Sequence, residues 1–422
     1  MRYGAEEALG FRALLQDTQD AQVTEVFARE RLTWASYWML GYFAFLQTIL
    51  GPLMPFIRGE LHLNYVVASL HFSAFALGAV VTGVFGDRMA RRWGRRTLFW
   101  GGALGMAVGA ALVALSPSAA GTILGAFLMG LLGDLALITL QAALAERHGR
   151  WGPVALTEAN VVASGFAILA TLAVGAVTGA GWGWRLALLP AIALLALIAL
   201  RYHALLFPRM AQQASPRRGS ERDPERGSKR RAPLPLAFWA LWLLIALETG
   251  VEWCLGYWGA SFLATQPRFS RADAATAMSA FFVAMLVGRA LGSRVTRVVN
   301  GLTTLGASLG VGLLGFALFW LAPSAPLHII GLFVVGFALA NVYPLGVALA
   351  AATAPEQVDT ATARLAVAGG LAVLLAPLLL GALADHIGIG SAFGVAIPLL
   401  ALALVALAGA RRAPASTPAR AS

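Results

Sequence analysis

Three acidic residues interrupt long apolar runs in this chain, where a carboxyl group can act as a proton carrier. Asp134 lies in "GLLGDLALITLQ", and Glu248 and Glu252 lie in "LETGVEWCLGYW". A charged group is costly at the centre of a bilayer, and acids found there usually mark ion or proton pathways. Glu248 and Glu252 are one helical turn apart, so they share a face, and two close carboxylates resist joint ionisation. We therefore expect all three residues to take up and release protons.

Other polar and aromatic residues of the apolar segments are candidates for a substrate cavity. The rings of Trp253 and Trp258 can stack on a flat or cationic substrate, or they can anchor a helix at the membrane interface. Asp134 has a structural alternative, in which its carboxylate pairs with Arg289 or with a polar group of another helix. A lone helical histidine such as His71 is more often a hydrogen-bonded structural residue than a titrating one. The expected cavity residues are Gln47, Gln141, Asn341, Tyr343, Trp253, Trp258 and His71.

The composition shows which elements must position these residues. The chain has 422 residues, of which 59% are hydrophobic and 12% charged, and its mean hydropathy is +0.74. Soluble domains are about 25% charged, and a helix needs about 20 apolar residues to span a bilayer. The sequence therefore predicts an all-α membrane protein with twelve transmembrane helices. The predicted spans are 34–57, 64–87, 97–115, 121–146, 153–178, 184–206, 236–264, 272–296, 301–321, 326–352, 359–384 and 391–410.

The basic residues are distributed unevenly between the two sides of the predicted bundle. The net charge is +11, which in a soluble protein would suggest a nucleic-acid partner. If the amino terminus is cytoplasmic, 24 of the 31 Lys and Arg residues lie in inner segments and four lie in outer loops. Cytoplasmic segments of membrane proteins carry such an excess of Lys and Arg. The charge therefore predicts a multi-pass protein of a bacterial inner membrane with both termini in the cytoplasm, and no nucleic-acid partner.

The chain divides into two groups of six spans. The segment "PRMAQQASPRRGSERDPERGSKRRAP" has the composition of a disordered linker. Spans one, four, seven and ten carry the polar residues described above, whereas spans three, six, nine and twelve are apolar throughout, which predicts one central cavity. The expected organisation is a cytoplasmic tail (1–33), a six-helix bundle (34–206), a cytoplasmic linker (207–235), a second six-helix bundle (236–410) and a cytoplasmic tail (411–422).

A basic signature lies between the second and third spans, in "GVFGDRMARRWGRR". It matches the pattern Gly-x-x-x-Asp-Arg-x-Gly-Arg-Arg, except that four additional residues, "MARR", precede Trp93. Further matches are "GWGWR" at 181–185, "GR" at 288–289 and "GALADHIG" at 381–388. In these motifs the chain resembles the major facilitator superfamily, from about residue 34 to 410. Because four residues make about one helical turn, the insertion can preserve the face that the signature presents.

The resemblance implies the fold and a gating role for the signature. The expected fold is the major facilitator fold, with two six-helix bundles that rock around a site near the bilayer midplane. In this family the signature holds the cytoplasmic side closed in the outward-open state. A weaker likeness to the fucose/proton symporter-like branch, which carries acids on its first and fourth helices, is half matched by Gln47 and Asp134. The expected gating residues are Gly83, Asp87, Arg88, Gly94, Arg95, Arg96, Glu158, Arg289 and Arg364.

These features favour a secondary active transporter that moves a small solute by alternating access and is coupled to protons. A phosphate-binding Gly-x-x-x-x-Gly-Lys-Ser/Thr loop is absent from the sequence, which argues against direct use of ATP. Six scattered His residues and one Cys give no metal site and no nucleophile–base pair. The expected partners are a small-molecule substrate, protons and the lipid bilayer, with no cofactor, and the expected form is a monomer. The alternatives are a proton-driven exporter of drugs or lipophilic cations, a membrane sensor and a membrane-embedded enzyme.

Overall fold

The structure is a computed structural model that describes residues 27–205, 207, 233–295 and 297–412 of the chain. Most of the predicted linker and of both predicted tails therefore lies outside the described residues. The described residues form thirteen α-helices. These are α1 (Arg31–Glu60), α2 (Tyr65–Trp93), α3 (Arg95–Leu115), α4 (Ala119–His148), α5 (Gly152–Gly179), α6 (Leu189–Tyr202), α7 (Leu236–Leu263), α8 (Arg271–Val295), α9 (Gly301–Leu321), α10 (Ala325–Leu339), α11 (Val342–Ala352), α12 (Val358–Ala392) and α13 (Ala396–Arg412).

Ten helical segments of the described residues are long and apolar enough to cross a membrane. Three of them contain two helices each: Ala119–Gly179 contains α4 and α5, Ala325–Ala352 contains α10 and α11, and Pro355–Arg412 contains α12 and α13. With α10 and α11 counted together as one broken span and the other helices counted separately, there are twelve segments, in agreement with the predicted all-α membrane fold. The sixth predicted span consists of a short 3₁₀ segment, Trp184–Leu188, followed by α6.

The tenth predicted span is divided into two helices. Instead of one helix over 326–352, α10 ends at Leu339 and α11 begins at Val342. Pro344 accounts for the break, because its ring would clash with the carbonyl of Ala340 in a continuous helix, whereas the first turn of a new helix accepts proline. The Asn341 side chain then donates to the Gly288 carbonyl of α8 at 2.6 Å, which adds a hydrogen bond between the two helices.

The four additional residues of the basic signature extend α2. The helix continues to Trp93, and Gly94 has a φ of +77°, a value that favours glycine. α3 begins at Arg95, directly after this turn. The insertion is therefore an extra helical turn, and Arg95 and Arg96 open the next helix rather than lying in a long loop.

The twelve segments run alternately in the two directions, with α10 and α11 together forming one of them, and they form two halves, α1–α6 and α7–α13. We call the face at which α1 and α7 begin and α2 and α8 end the basic face, and the opposite one the far face. The halves contact each other near the far face through small residues. A Cβ on Gly51 of α1 would lie 2.3 Å from the Gly256 carbonyl of α7, and one on Gly381 of α12 would lie 1.9 Å from Oγ of Ser69 in α2. Such close approach between helices requires glycine.

Candidate functional site

A pocket of about 330 Å³ lies between the two halves. Its walls come from α1, α4 and α5 of the first half and from α7 and α8 of the second. The polar lining residues are Gln47, Thr48, Asp134, Gln141, Asn160, Ser164, Glu252 and Arg289. The aromatic lining residues are Phe43, Trp253, Tyr257, Phe281 and Phe282. The tenth segment, which the sequence predicted as a wall, is replaced by α5 and α8.

The pocket extends from the middle of the bundle towards the basic face. Gln47 and Trp253 lie near the middle of α1 and α7, whereas Gln141, Asn160 and Arg289 lie two to three turns from the basic face on their helices. The contacts between the halves through Gly51 and Gly381 lie on the far side of this lining. The structure therefore places the pocket in a state that is closed at the far face.

A cluster of aromatic rings closes the pocket towards the far face. Tyr257 lines the pocket and stacks on Phe72 of α2, with ring centroids 4.1 Å apart and an interplanar angle of 6°. Trp258 meets the same Phe72 ring edge-on at 5.3 Å. The Trp258 indole also donates to the Pro377 carbonyl at 3.0 Å and is fully buried. Trp258 therefore lies in the far-face closure, while Trp253 remains a pocket residue.

The three acids predicted to carry protons lie in or next to the pocket. Asp134 and Glu252 are half-buried lining residues that face it from opposite halves. Glu248 is fully buried one turn before Glu252, and neither of its carboxyl oxygens has a hydrogen-bond partner among the described residues. Within the same part of the chain, none of the ion pairs involves Asp134 or Arg289. The structural alternative, in which Asp134 pairs with Arg289 or with a polar group of another helix, is not seen among the described residues in this state.

Three other predicted cavity residues lie elsewhere in the fold. His71 is fully buried, with Nε2 2.8 Å from the Thr122 hydroxyl of α4 and Nδ1 3.0 Å from the Ala68 carbonyl, so it connects α2 to α4. Asn341 is half-buried against α8, where a Cβ on Gly292 would lie 2.1 Å from its amide nitrogen. Tyr343 is exposed on α11 and is absent from the pocket lining.

Replacing Asn341 with leucine is expected to destabilise the protein without changing substrate recognition. The substitution removes the side-chain hydrogen bond that crosses from Asn341 to the Gly288 carbonyl, and one such bond contributes about 0.5–1.5 kcal/mol. Thermal unfolding of the purified protein measures this loss, and Tyr343→Phe is the matched control because it alters an exposed neighbour. A substrate affinity reduced in parallel with stability would assign Asn341 to the pocket instead.

The residues of the basic signature that were predicted to act in gating are separated from the second half in this state. Asp87 and Arg88 are exposed, and neither forms a hydrogen bond or ion pair with another described residue. A Cβ on Gly83 would meet nothing within 4 Å. Arg95 instead binds Glu146 of α4 through two hydrogen bonds of 2.5 Å, and Arg96 donates to the His203 carbonyl at 2.9 Å. Both contacts stay within the first half.

The remaining predicted gating residues occupy three different places. Glu158 accepts hydrogen bonds from Arg29 at 2.6 and 2.7 Å and from Tyr37 at 2.9 Å, so it joins α5 to the start of α1. Arg364 is exposed near the start of α12, and its carbonyl accepts from the Trp242 indole at 2.8 Å. Arg289 lines the pocket on its basic-face side.

A second contact beside Glu158 binds the described part of the amino-terminal segment to the first half. The Arg147 guanidinium lies 2.6 Å from Glu30 Oε1, and this hydrogen bond holds the pKa of the Glu30 carboxyl below its usual value. Thr33 and His148 are joined by a hydrogen bond of 2.8 Å. The basic-face ends of α1, α4 and α5 therefore form one connected unit.

Sequence reasoning missed most of the apolar lining, Thr48 of α1 and Ser164 of α5. Phe281, Phe282 and Met285 lie eight, seven and four residues before Arg289, on the helical face that it shares. Ser164 follows Asn160 by four residues in the same way. Helical periodicity shows which residues share a face with Arg289 or Asn160. It does not show whether that face is turned towards the pocket, which depends on how the helices pack.

Comparison with known proteins places this architecture among transporters. Residues 37–296 and 241–422 match the family model described as Major Facilitator Superfamily. An uncharacterized MFS-type transporter of Yersinia pestis is 27% identical over 375 residues, which cover 86% of this chain and 91% of the relative.

Solved structures of transporters share the fold at low sequence identity. A variant of the nucleoside transporter NupG superposes with a TM-score of 0.74 at 14% identity, covering 90% of this chain and 100% of the other. A bacterial homolog of the human lysosomal transporter Spinster, in an inward-facing and occupied conformation, gives a TM-score of 0.72 at 16% identity, covering 92% and 98%. Identities this low establish a common fold and not a common substrate.

Proposed function

The chain belongs to the major facilitator superfamily and is a secondary transporter rather than an enzyme, and we propose that it couples movement of a small organic solute to protons. The observation that carries this proposal is the pocket between the halves, because it has a carboxyl group on each side. Asp134 belongs to the first half and Glu252 to the second. A rocking motion of the halves therefore changes the surroundings of both acids at once.

The proposed orientation places the basic face in the cytoplasm of a bacterial cell, with the protein in the inner membrane. The excess of Lys and Arg on the inner segments supports it, as does the bacterial relative. In this orientation the pocket is open to the cytoplasm, as in the inward-facing conformation of the Spinster homolog. The described state is then the one that exchanges solute with the cytoplasm.

Proton coupling follows from the cost of enclosing an ionised acid. While the pocket is open, water can solvate the carboxylates of Asp134 and Glu252. When the halves close around them, an ionised carboxylate without a partner loses that solvation, whereas the protonated form does not. Glu248, already buried without a hydrogen-bond partner, suits a site that holds a proton throughout. Closing therefore favours the protonated pocket, and opening releases the proton to the other side.

The pocket walls favour a lipophilic cation as the solute, which makes export of such compounds the second candidate function. Five aromatic side chains surround the two acids, and an aromatic face attracts a cation. Asp134 has no hydrogen bond or ion pair with any described residue, so its charge is available to a ligand. Proton and cation would then compete for the same carboxyl groups, which is the arrangement that an antiporter needs.

The basic signature is proposed to act in the opposite state. In the described state, Asp87 and Arg88 are exposed and the space beside Gly83 is empty. Closing the basic face would bring this end of α2 towards the start of α12, where Arg364 lies. Asp87 stands near the carboxyl end of its helix, where a cationic or helix-N-terminal partner is favourable. Gly94, Arg95, Arg96, Glu158 and Arg289 are proposed to support this closed arrangement.

Transport by membrane vesicles tests the proposal. A thermal-shift screen of the purified protein over lipophilic cations, sugars and amino acids first identifies a ligand. Vesicles containing the protein are then expected to move that ligand when a proton gradient is imposed and to stop when an uncoupler dissipates the gradient. Ligand movement that continues unchanged after the uncoupler is added would contradict proton coupling, and a stabilising ligand that is not moved would contradict transport.

A further inference from the structure

At the far face, the end of α12 lies against the start of α2, which belongs to the other half. Asp385 Oδ1 accepts a hydrogen bond from the backbone N–H of Tyr65 at 2.7 Å, and Oδ2 accepts one from Val66 at 2.9 Å. Asn64 accepts from the Val67 N–H at 2.8 Å. The first three N–H groups of α2 are therefore capped, two of them by a carboxylate from the opposite half.

The helix dipoles make this contact favourable in one state of the protein only. The amino terminus of α2 carries partial positive charge from its free N–H groups, and it attracts an anion. Asp385 lies near the carboxyl end of the helical run that stops at Gly388, where φ is +77°, so the dipole of its own helix disfavours the charge. When the halves separate at the far face, Asp385 loses a favourable partner and keeps an unfavourable one.

Two neutral contacts and one cation lie near Asp385. Ser73 donates to the Leu374 carbonyl at 2.9 Å, and Ser69 packs against Gly381. The Arg58 guanidinium of α1 lies over the Tyr65 ring, 3.8 Å from its centroid. The four ion pairs among the described residues all lie within the first half. Asp385 therefore makes a charged contact between the two halves, whereas each of these four ion pairs joins residues of the same half.

We propose that Asp385 is a gating residue: its carboxylate stabilises the far-face-closed state by capping α2 across the halves, and the cap must break whenever the pocket opens to the far face. The proposal concerns the equilibrium between two states of the bundle, and it holds whichever solute or ion the pocket binds. An interaction present in one state shifts that equilibrium by its own differential strength. Removing it therefore changes populations even without any ligand.

Distance measurements between spin labels on the two halves test this proposal. Trp182→Cys, in the loop between α5 and α6, and Arg268→Cys, in the loop between α7 and α8, give exposed label sites at the far face of each half. Cys254→Ser removes the one native thiol. In this background, Asp385→Ala is expected to raise the ratio of long to short distances about fivefold, the size typical of losing one helix cap.

A charge series at the same position separates an electrostatic cap from a steric effect. Asp385→Asn keeps the shape and removes the charge, and Asp385→Lys places a cation against the amino terminus of α2. The population with long distances is expected to be smallest in the wild type, larger in the Asn variant and largest in the Lys variant. The near-isosteric Asn variant keeps the test valid if a larger change prevents folding. Identical distance distributions for wild type and the Asn and Lys variants would overturn the proposal.

Asp273→Ala is the matched control. Asp273 is also an acid at the far face, and it accepts hydrogen bonds from Ser270 at the start of α8, but it caps its own helix within one half. Its loss is expected to leave the distance distribution unchanged. An equal shift in this variant would mean that any damaged cap at the far face opens the bundle, and it would remove the specific role of Asp385.

Discussion

Vesicles containing the Asp134→Asn variant are expected to lose gradient-driven transport by about a hundredfold while solute exchange without a gradient continues. The amide cannot take up or release a proton, so pocket closure no longer depends on the gradient. Enclosing a charged carboxylate at the bilayer midplane costs about 2.5–3.5 kcal/mol. We take this cost as the size of the coupling between protonation and closure, and a free energy of that size corresponds to about a hundredfold in rate. The comparison of gradient-driven transport with counterflow measures the effect directly.

Two further variants delimit this prediction. Glu252→Gln is also expected to lose gradient-driven transport while solute exchange without a gradient continues, because Glu252 faces the pocket from the other half. Asp273→Asn, the same chemical change at the far-face start of α8, is expected to leave both kinds of transport near wild type. Gradient-driven transport that survives in the Asp134→Asn, Glu252→Gln double variant would contradict the assignment of protons to these acids.

Replacing Gly51 with leucine is expected to abolish transport by preventing closure of the far face. A Cβ at this position would lie 2.3 Å from the Gly256 carbonyl and 3.1 Å from the Tyr257 Cα, both in the opposite half. The contact involves backbone on both sides, so no side-chain rotation relieves it. The halves must separate there, and the protein is then held open to the far face, where the pocket binds solute but cannot deliver it.

The measurement for Gly51→Leu combines transport with ligand binding. Transport is expected to fall below detection, while the ligand still stabilises the purified protein against heat. Gly165→Leu is the control, because a Cβ on Gly165 in α5 meets nothing within 4 Å. Normal transport by the Gly51 variant would show that the far-face contact of α1 with α7 is not part of the transport cycle.

The helices could be predicted from the sequence, and so could the placement of the three acids in or next to the pocket, because both depend on local properties; the proton-carrying role of the acids stays a prediction. Apolar runs of bilayer length determine the spans, and the cost of an isolated carboxylate in such a run marks Asp134, Glu248 and Glu252. The extra turn of α2 also follows from local rules, since four residues fit one turn and Gly94 ends the helix. The likeness to the fucose symporter-like branch stays a prediction. That branch carries an acid on its first helix, whereas here the first helix offers Gln47 to the pocket.

The arrangement of the tenth segment and of the cavity walls required tertiary information. The polar residues Asn341 and His71 satisfy backbone and side-chain groups of neighbouring helices, and sequence cannot distinguish this use from ligand binding. The capping role of Asp385 depends on α2 and α12 meeting across the halves, more than 300 residues apart in the chain. Such contacts follow from packing and not from any local pattern.

Accessibility of the pocket acids to water tests the account most directly. In a Cys254→Ala background, single cysteines at Asp134 and Glu252 are treated with a hydrophilic maleimide that cannot cross the membrane, applied to inside-out vesicles. Leu104→Cys on α3 and Leu314→Cys on α9 serve as lipid-facing references. These two positions lie on the outer surface of the bundle and are 62% and 72% exposed. Both acid positions are predicted to react rapidly and the references slowly. Cysteines at Asp134 and Glu252 that react no faster than the references would contradict a water-filled pocket between the two halves.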